Sequence, residues 1–127
     1  MLDEHLVYER VGLDGFTRLT RAFYQQVTTD DILGPMYPAD DMEGAEQRLR
    51  DFLVYRFGGP QDYIEQRGHP RLRMRHAPFP IDVAAAERWF ELMQRALAAA
   101  ALAEDATEVL TQFFRQMTLF LVNRAPS

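Results

Sequence analysis

Apolar residues return every three or four positions along most of the chain, and no stretch alternates apolar with polar over a strand's length. The pattern therefore predicts helices and no sheet. Residues 4–10 read as a short first helix ending near Gly12, and Asp14 stands as N-cap for the next, whose stripe is Phe16, Leu19, Phe23 and Val27. Residues 30–38, DDILGPMYP, carry Gly34, Pro35 and Pro38 and must turn in short 3₁₀ pieces. Asp40 followed by Glu43 reads as a capping box opening a helix over 41–57, with Ala45, Leu49, Phe52, Leu53 and Phe57 on its inner face. Gly44 and Ala45 lack bulk, which suits a close helix crossing or the open side of a cavity. Gly58, Gly59 and Pro60 stop that helix. Asp82 caps another, with Ile81 as a hydrophobic staple and Val83, Ala86, Trp89 or Phe90, Met93 and Leu97 inside. Asp105 with Glu108 repeats the capping box and divides 81–125 into two helices. The last carries Val109, Leu110, Phe113, Phe114, Met117, Phe120 and Leu121, too many for one narrow seam, and is expected across the centre of the core.

Four main helices plus short ones make an all-α fold, and 127 residues are most simply one domain, 1–127. Composition then removes most chemistry. The chain has no lysine and no cysteine, and its single serine is the terminal Ser127. A Schiff-base or P-loop lysine, a thiolate nucleophile and a buried serine triad are thereby excluded. A net charge of −5 argues against nucleic-acid binding. The charged start MLDEHLVYER and the absence of a long apolar run predict a cytoplasmic protein with no membrane span. With so poor an inventory, a bound cofactor becomes attractive.

One stretch stands out against this background. In GHPRLRMRHAPF, residues 68–79, Pro70 and Pro78 fence a short helical turn with His76 in its last turn and Leu72 one turn behind on the same face. Arg67, Arg71, Arg73 and Arg75 surround it. A lone histidine is usually structural or solvated, and an arginine cluster is usually a wet face. Neither His5 nor His69 has metal-ligand spacing to His76, so a protein-only zinc site is weak. A single axial histidine on a metal held by a macrocycle, with a guanidinium clamping the macrocycle's acidic rim, fits better. Tyr24, Tyr37 and Trp89 are core or boundary aromatics by default. Together they could offer two hydroxyl donors and an indole donor to a ligand.

Several segments resemble the group II truncated haemoglobins over nearly the whole chain. They are Phe23-Tyr24, the run 37–41 (YPADD), the run 44–50 (GAEQRLR), Gly58-Gly59-Pro60, the run 65–79 (EQRGHPRLRMRHAPF) and Trp89. The resemblance implies a compact two-over-two helical sandwich around haem b. It implies His76 as the iron ligand, Arg75 on a propionate, Arg48 and Tyr63 as further cofactor contacts, and Leu72 and Phe52 against the ring. It implies Tyr24, Tyr37 and Trp89 as the distal polar trio, Ala45 where many globins carry a distal histidine, and Leu49 lining the same pocket. Diatomic gases (oxygen, carbon monoxide, nitric oxide) are the implied ligands, an unidentified reductase the implied partner, and a homodimer the implied assembly. Slow oxygen release is expected, with nitric-oxide dioxygenation or peroxide-linked oxidation as candidate activities. The family often has a Gly-Gly pair between its first two helices, where this chain has Gly12-Leu13-Asp14-Gly15. The competing reading is a cofactor-free helical module that binds an acidic partner through the arginine cluster.

Overall fold

The computed structural model describes residues 2–60 and 81–122. His76, Arg75, Leu72 and Tyr63, with the rest of the arginine cluster, lie outside the described residues. A 3₁₀ turn, Glu4–Leu6, leads into helix α1, Val7–Val27, and a second 3₁₀ turn, Gly34–Met36, precedes α2, Met42–Arg56. Two further helices follow, α3 at Val83–Ala100 and α4 at Glu104–Leu121. The fold is all-α, and no strand occurs among the described residues. No helix among them is long and apolar enough to cross a membrane.

The helices pack as two pairs, α1 on α2 and α3 on α4, joined by the broad contact of α1 with α3. Phe16, Leu19, Phe23 and Val27, the stripe predicted for α1, are all fully buried. At about 1.5–3 kcal/mol for each large apolar side chain, that stripe is a principal stabilising feature. The centre of the core therefore belongs to α1 and not to α4. The last helix touches α1 only lightly, and Leu119 and Phe120 near its end are 56% and 53% exposed. Along α3 the buried stripe runs through Ala85, Ala86, Leu92, Met93, Ala96, Leu97 and Ala100. Val83, expected inside, is 41% exposed because the small Ala85–Ala86 side of that first turn faces inward.

Three predicted caps are differently arranged. The first helical segment ends at Gly12 (φ 72°, ψ 171°) as predicted, and a second begins at once within the range of α1, with Asp14 in its first turn rather than at its cap. The Asp14 carboxylate pairs with Arg18 one turn on. At α2 the N-cap is Asp41 rather than Asp40, and its carboxylate turns to Arg48 at 3.1 Å. That carboxylate lies across Gly44, where a Cβ would collide with it, so Gly44 is small for a neighbouring side chain and not for a helix crossing. Asp105 sits in the first turn of α4 behind the N-cap Ala103, bonded to the Ala106 amide at 2.8 Å and facing Arg10 at 3.5 Å. Arg18, Arg48 and Arg10 thus face the carboxylates of Asp14, Asp41 and Asp105. Asp82 meets no arginine among the described residues and caps α3 as predicted, accepting from the Ala85 amide at 2.8 Å.

Two ends of the layered structure are closed by polar ties. The end of α2 docks on the start of the chain, with the Tyr8 amide donating to the Phe57 carbonyl at 3.0 Å and Arg56 paired with Glu4 at 2.9 Å. At the other end, α3 stops on Ala101 in the left-handed region (φ 51°, ψ 51°), and Arg18 of α1 donates to the Ala100 carbonyl at 3.2 Å.

Candidate functional site

Between the two helix pairs lies a cavity of about 340 Å³, within the range of small-molecule sites. Tyr24 reaches it from the last turns of α1, the 3₁₀ turn brings Tyr37, and α3 brings Trp89. Ala45, Arg48, Leu49 and Phe52 form a second wall on one face of α2, at the three- and four-residue spacing that puts side chains on a common stripe. Met117, Thr118 and Leu121 contribute from α4. Seven of the residues singled out from sequence thus line one cavity: Tyr24, Tyr37, Trp89, Ala45, Leu49, Arg48 and Phe52.

The aromatic wall is built from behind. Phe23, fully buried, meets Tyr24 edge-on at 5.2 Å and Trp89 at 4.8 Å, and Phe114 touches Trp89 at 5.5 Å. Tyr24 in turn meets Tyr37 edge to face at 5.5 Å. Within that brace the Trp89 Nε1–H donates to the Tyr37 hydroxyl at 3.1 Å. Burial first, and the neighbouring Tyr37 hydroxyl second, push the Tyr24 phenol well above its ordinary range. Burial also raises Tyr37, although the hydrogen bond from Trp89 opposes it. Both phenols therefore stay protonated at neutral pH and keep a hydrogen to donate.

Opposite this polar corner the walls are apolar. Ala45, only 6% exposed, presents a methyl group where a longer residue would fill the space. Arg48 stands at the exposed rim, held by Asp41 at 3.1 Å, with its remaining donors available. No cluster of three histidine, cysteine or acidic side chains able to hold a metal occurs among the described residues. The arrangement fits a flat apolar group with an acidic edge at Arg48, leaving room beside the two tyrosines and the tryptophan for a small polar ligand.

Other lining residues were not singled out as site residues. Ile81, Ala86, Met117 and Leu121 read as staple or core positions, and Leu33, Met36, Ala85 and Thr118 carried no signal beyond their helical or turn surroundings. The Ala85–Ala86 pair is the exception: two adjacent small residues in the first turn of α3 make space beside the cavity.

Comparison with known proteins identifies the family and the fold. The family model for bacterial-like globins matches residues 6–123. The chain is 37% identical over 103 residues to a group 2 truncated haemoglobin of Bacillus subtilis (strain 168), covering 81% of this chain and 77% of the relative. Among solved structures, a thermostable haemoglobin from Thermobifida fusca superposes with a TM-score of 0.88 at 44% identity, covering 92% of this chain and 96% of that one. The truncated oxygen-avid haemoglobin from Bacillus subtilis gives 0.87 at 33% identity, covering 92% and 98%.

Proposed function

The chain belongs to the bacterial-like globin family, among the group II truncated haemoglobins, and from that premise we propose that it binds haem b and holds oxygen or another diatomic gas in the cavity beside it. Haem, when bound, supplies an iron that coordinates the gas and can change oxidation state. In this reading His76 would supply the imidazole that holds the iron, Arg75, Arg48 and Tyr63 would hold the acidic edge, and Leu72 and Phe52 would offer apolar contact to the cofactor. Arg48 suits its part because Asp41 already fixes it at the cavity rim.

The observation that carries the proposal is the convergence of Tyr24, Tyr37 and Trp89 on one cavity whose opposite walls are apolar. A gas ligand carrying partial negative charge would be stabilised there by the two protonated phenols, with the Trp89 indole, whose one N–H goes to Tyr37, orienting that hydroxyl. A hydrogen bond to a charged group contributes roughly 1.5–3 kcal/mol, and about 1.4 kcal/mol is a tenfold change in affinity. Two effective donors would slow oxygen release by roughly a hundredfold or more. Oxygen avidity is the property named for the Bacillus subtilis relative. Slow release suits capture or redox chemistry better than transport, so nitric-oxide dioxygenation and peroxide-linked oxidation are the activities to assay, with electrons drawn from a separate reductase.

Absorption spectra of the oxidised, reduced and carbon-monoxide-treated protein test the reading. A Soret band that shifts with each treatment is expected, and His76→Ala should abolish the native ferrous spectrum. Colourless protein after expression with adequate haem would overturn the proposal, and a native ferrous spectrum in His76→Ala would overturn the assignment of the ligand.

A further inference from the structure

Asp30 lies three residues beyond α1, and its side chain is only 7% exposed. Both carboxylate oxygens are engaged. Oδ2 accepts from the Ile32 amide at 3.1 Å and the Leu33 amide at 2.8 Å, which winds the chain into the turn ahead of Tyr37. Oδ1 accepts from Arg88 Nη1 at 2.6 Å, across 58 positions of sequence. Arg88 directly precedes Trp89, whose indole reaches Tyr37 across 52 positions. The connection and α3 are thus tied twice, by a charge pair outside and by an N–H···O bond at the cavity.

We infer that Asp30 and Arg88 are positioning residues, which hold Trp89 and Tyr37 in donor–acceptor register and thereby set how long a gas ligand stays in the cavity. The indole–phenol bond is a single contact between side chains on separate elements, so it forms only if those elements are already aligned. Successive residues point about 100° apart around a helix, and fixing Arg88 therefore fixes the rotation of α3 and the aim of the indole. Without Arg88, Asp30 would be left enclosed and unpaired next to Asp31, and it would relax by drawing the Leu33 turn outward. Arg88 also lies 3.5 Å from Asp31 and 3.8 Å from Glu91, so its planar fork serves three carboxylates at once. A lysine would serve fewer of them. The ligand half of this inference rests on the haem-binding reading, whereas the positioning half does not.

Trp89 is the chain's one tryptophan, so a protein labelled with ¹⁵N-indole tryptophan gives one indole N–H signal, readable in the carbon-monoxide-treated ferrous holoprotein. Arg88→Gln should move that signal toward its position in Tyr37→Phe, which lacks the acceptor, and should speed exchange of its proton with water. Oxygen dissociation should rise roughly three- to tenfold, the scale of one lost hydrogen bond. Arg88→Lys should recover part of both effects. If Arg88→Gln does not fold, Asp30→Asn takes its place, since it keeps an acceptor for the two amides and removes only the charge. A lowered melting temperature with the indole signal and the dissociation rate unmoved would overturn the inference, because that is what a merely structural pair predicts. An equal movement in Arg10→Gln, which breaks the exposed pair with Asp105, would also overturn it. Should the protein prove colourless, the indole signal still tests the positioning half, so failure of the haem reading and failure of this one are distinguishable.

Discussion

Trp89 combines two functions that can be separated by one substitution. Its ring packs against Phe23 and Phe114, and its Nε1–H reaches Tyr37. Trp89→Phe keeps most of the apolar area and removes the donor. Stopped-flow displacement of oxygen by carbon monoxide should then show release faster by roughly tenfold, because the Tyr37 hydroxyl loses the donor that orients it toward a charged ligand. An unchanged rate would mean that the indole only packs. At this scale the sequence was informative wherever a residue's chemistry was rare in the chain: two tyrosines and the sole tryptophan, singled out as donors, line one cavity. It was silent wherever the role depended on a distant partner. Nothing in DDILGPMYP announces that Asp30 meets Arg88, because that pair forms only once α3 has packed.

Among the elements, legibility followed the same division. Periodicity located the inner faces of α1 and α2, since burial of a stripe depends only on spacing. It could not distinguish a position that faces another side chain from one that faces a cavity, and so Ala86, Met117 and Leu121 read as core. Capping was legible at Asp82 and misleading at Asp14, Asp40 and Asp105; arginines a few residues or a whole helix away face the carboxylates of Asp14, Asp105 and Asp41, the last of which takes the cap in place of Asp40. The connection between α1 and α2 yields a prediction of its own. Burial opposes charge on Asp30, but the Leu33 and Ile32 amides and the Arg88 guanidinium outweigh it and hold the carboxyl below its ordinary range. The folded protein therefore binds that proton less tightly than the unfolded chain, so the stabilisation is complete above the unfolded carboxylate value of about 3.9 and is lost as pH falls through the folded value. Asp31 and Glu91, the other carboxylates near Arg88, are present in both proteins when wild type is compared with Asp30→Asn, so the comparison isolates Asp30. Urea midpoints should differ most near pH 6 and converge toward pH 3, and a gap independent of pH would contradict the assignment.

Across the whole molecule, α1 is the member that the others share, packing on α2, on α3 and lightly on α4. The segment of α1 after Gly12 meets different demands at its two ends. Tyr24 near the C-terminal end enters the cavity, whereas Arg18 and Gly15 belong to the closed end around Ala100 and Leu102. Ala85 lines the cavity, and Ala100 lies fifteen residues on, about 22 Å along α3. That separation gives Ala101 a consequence for thermal adaptation. A non-glycine residue at φ 51° forgoes stability that glycine would recover. Ala101→Gly should raise the melting temperature by roughly 2–4 °C while oxygen kinetics stay as they are, measured by calorimetry and stopped flow on the same samples. The closed end of the helix pair thus holds a reserve of heat tolerance that selection or design can draw on without reshaping the ligand pocket.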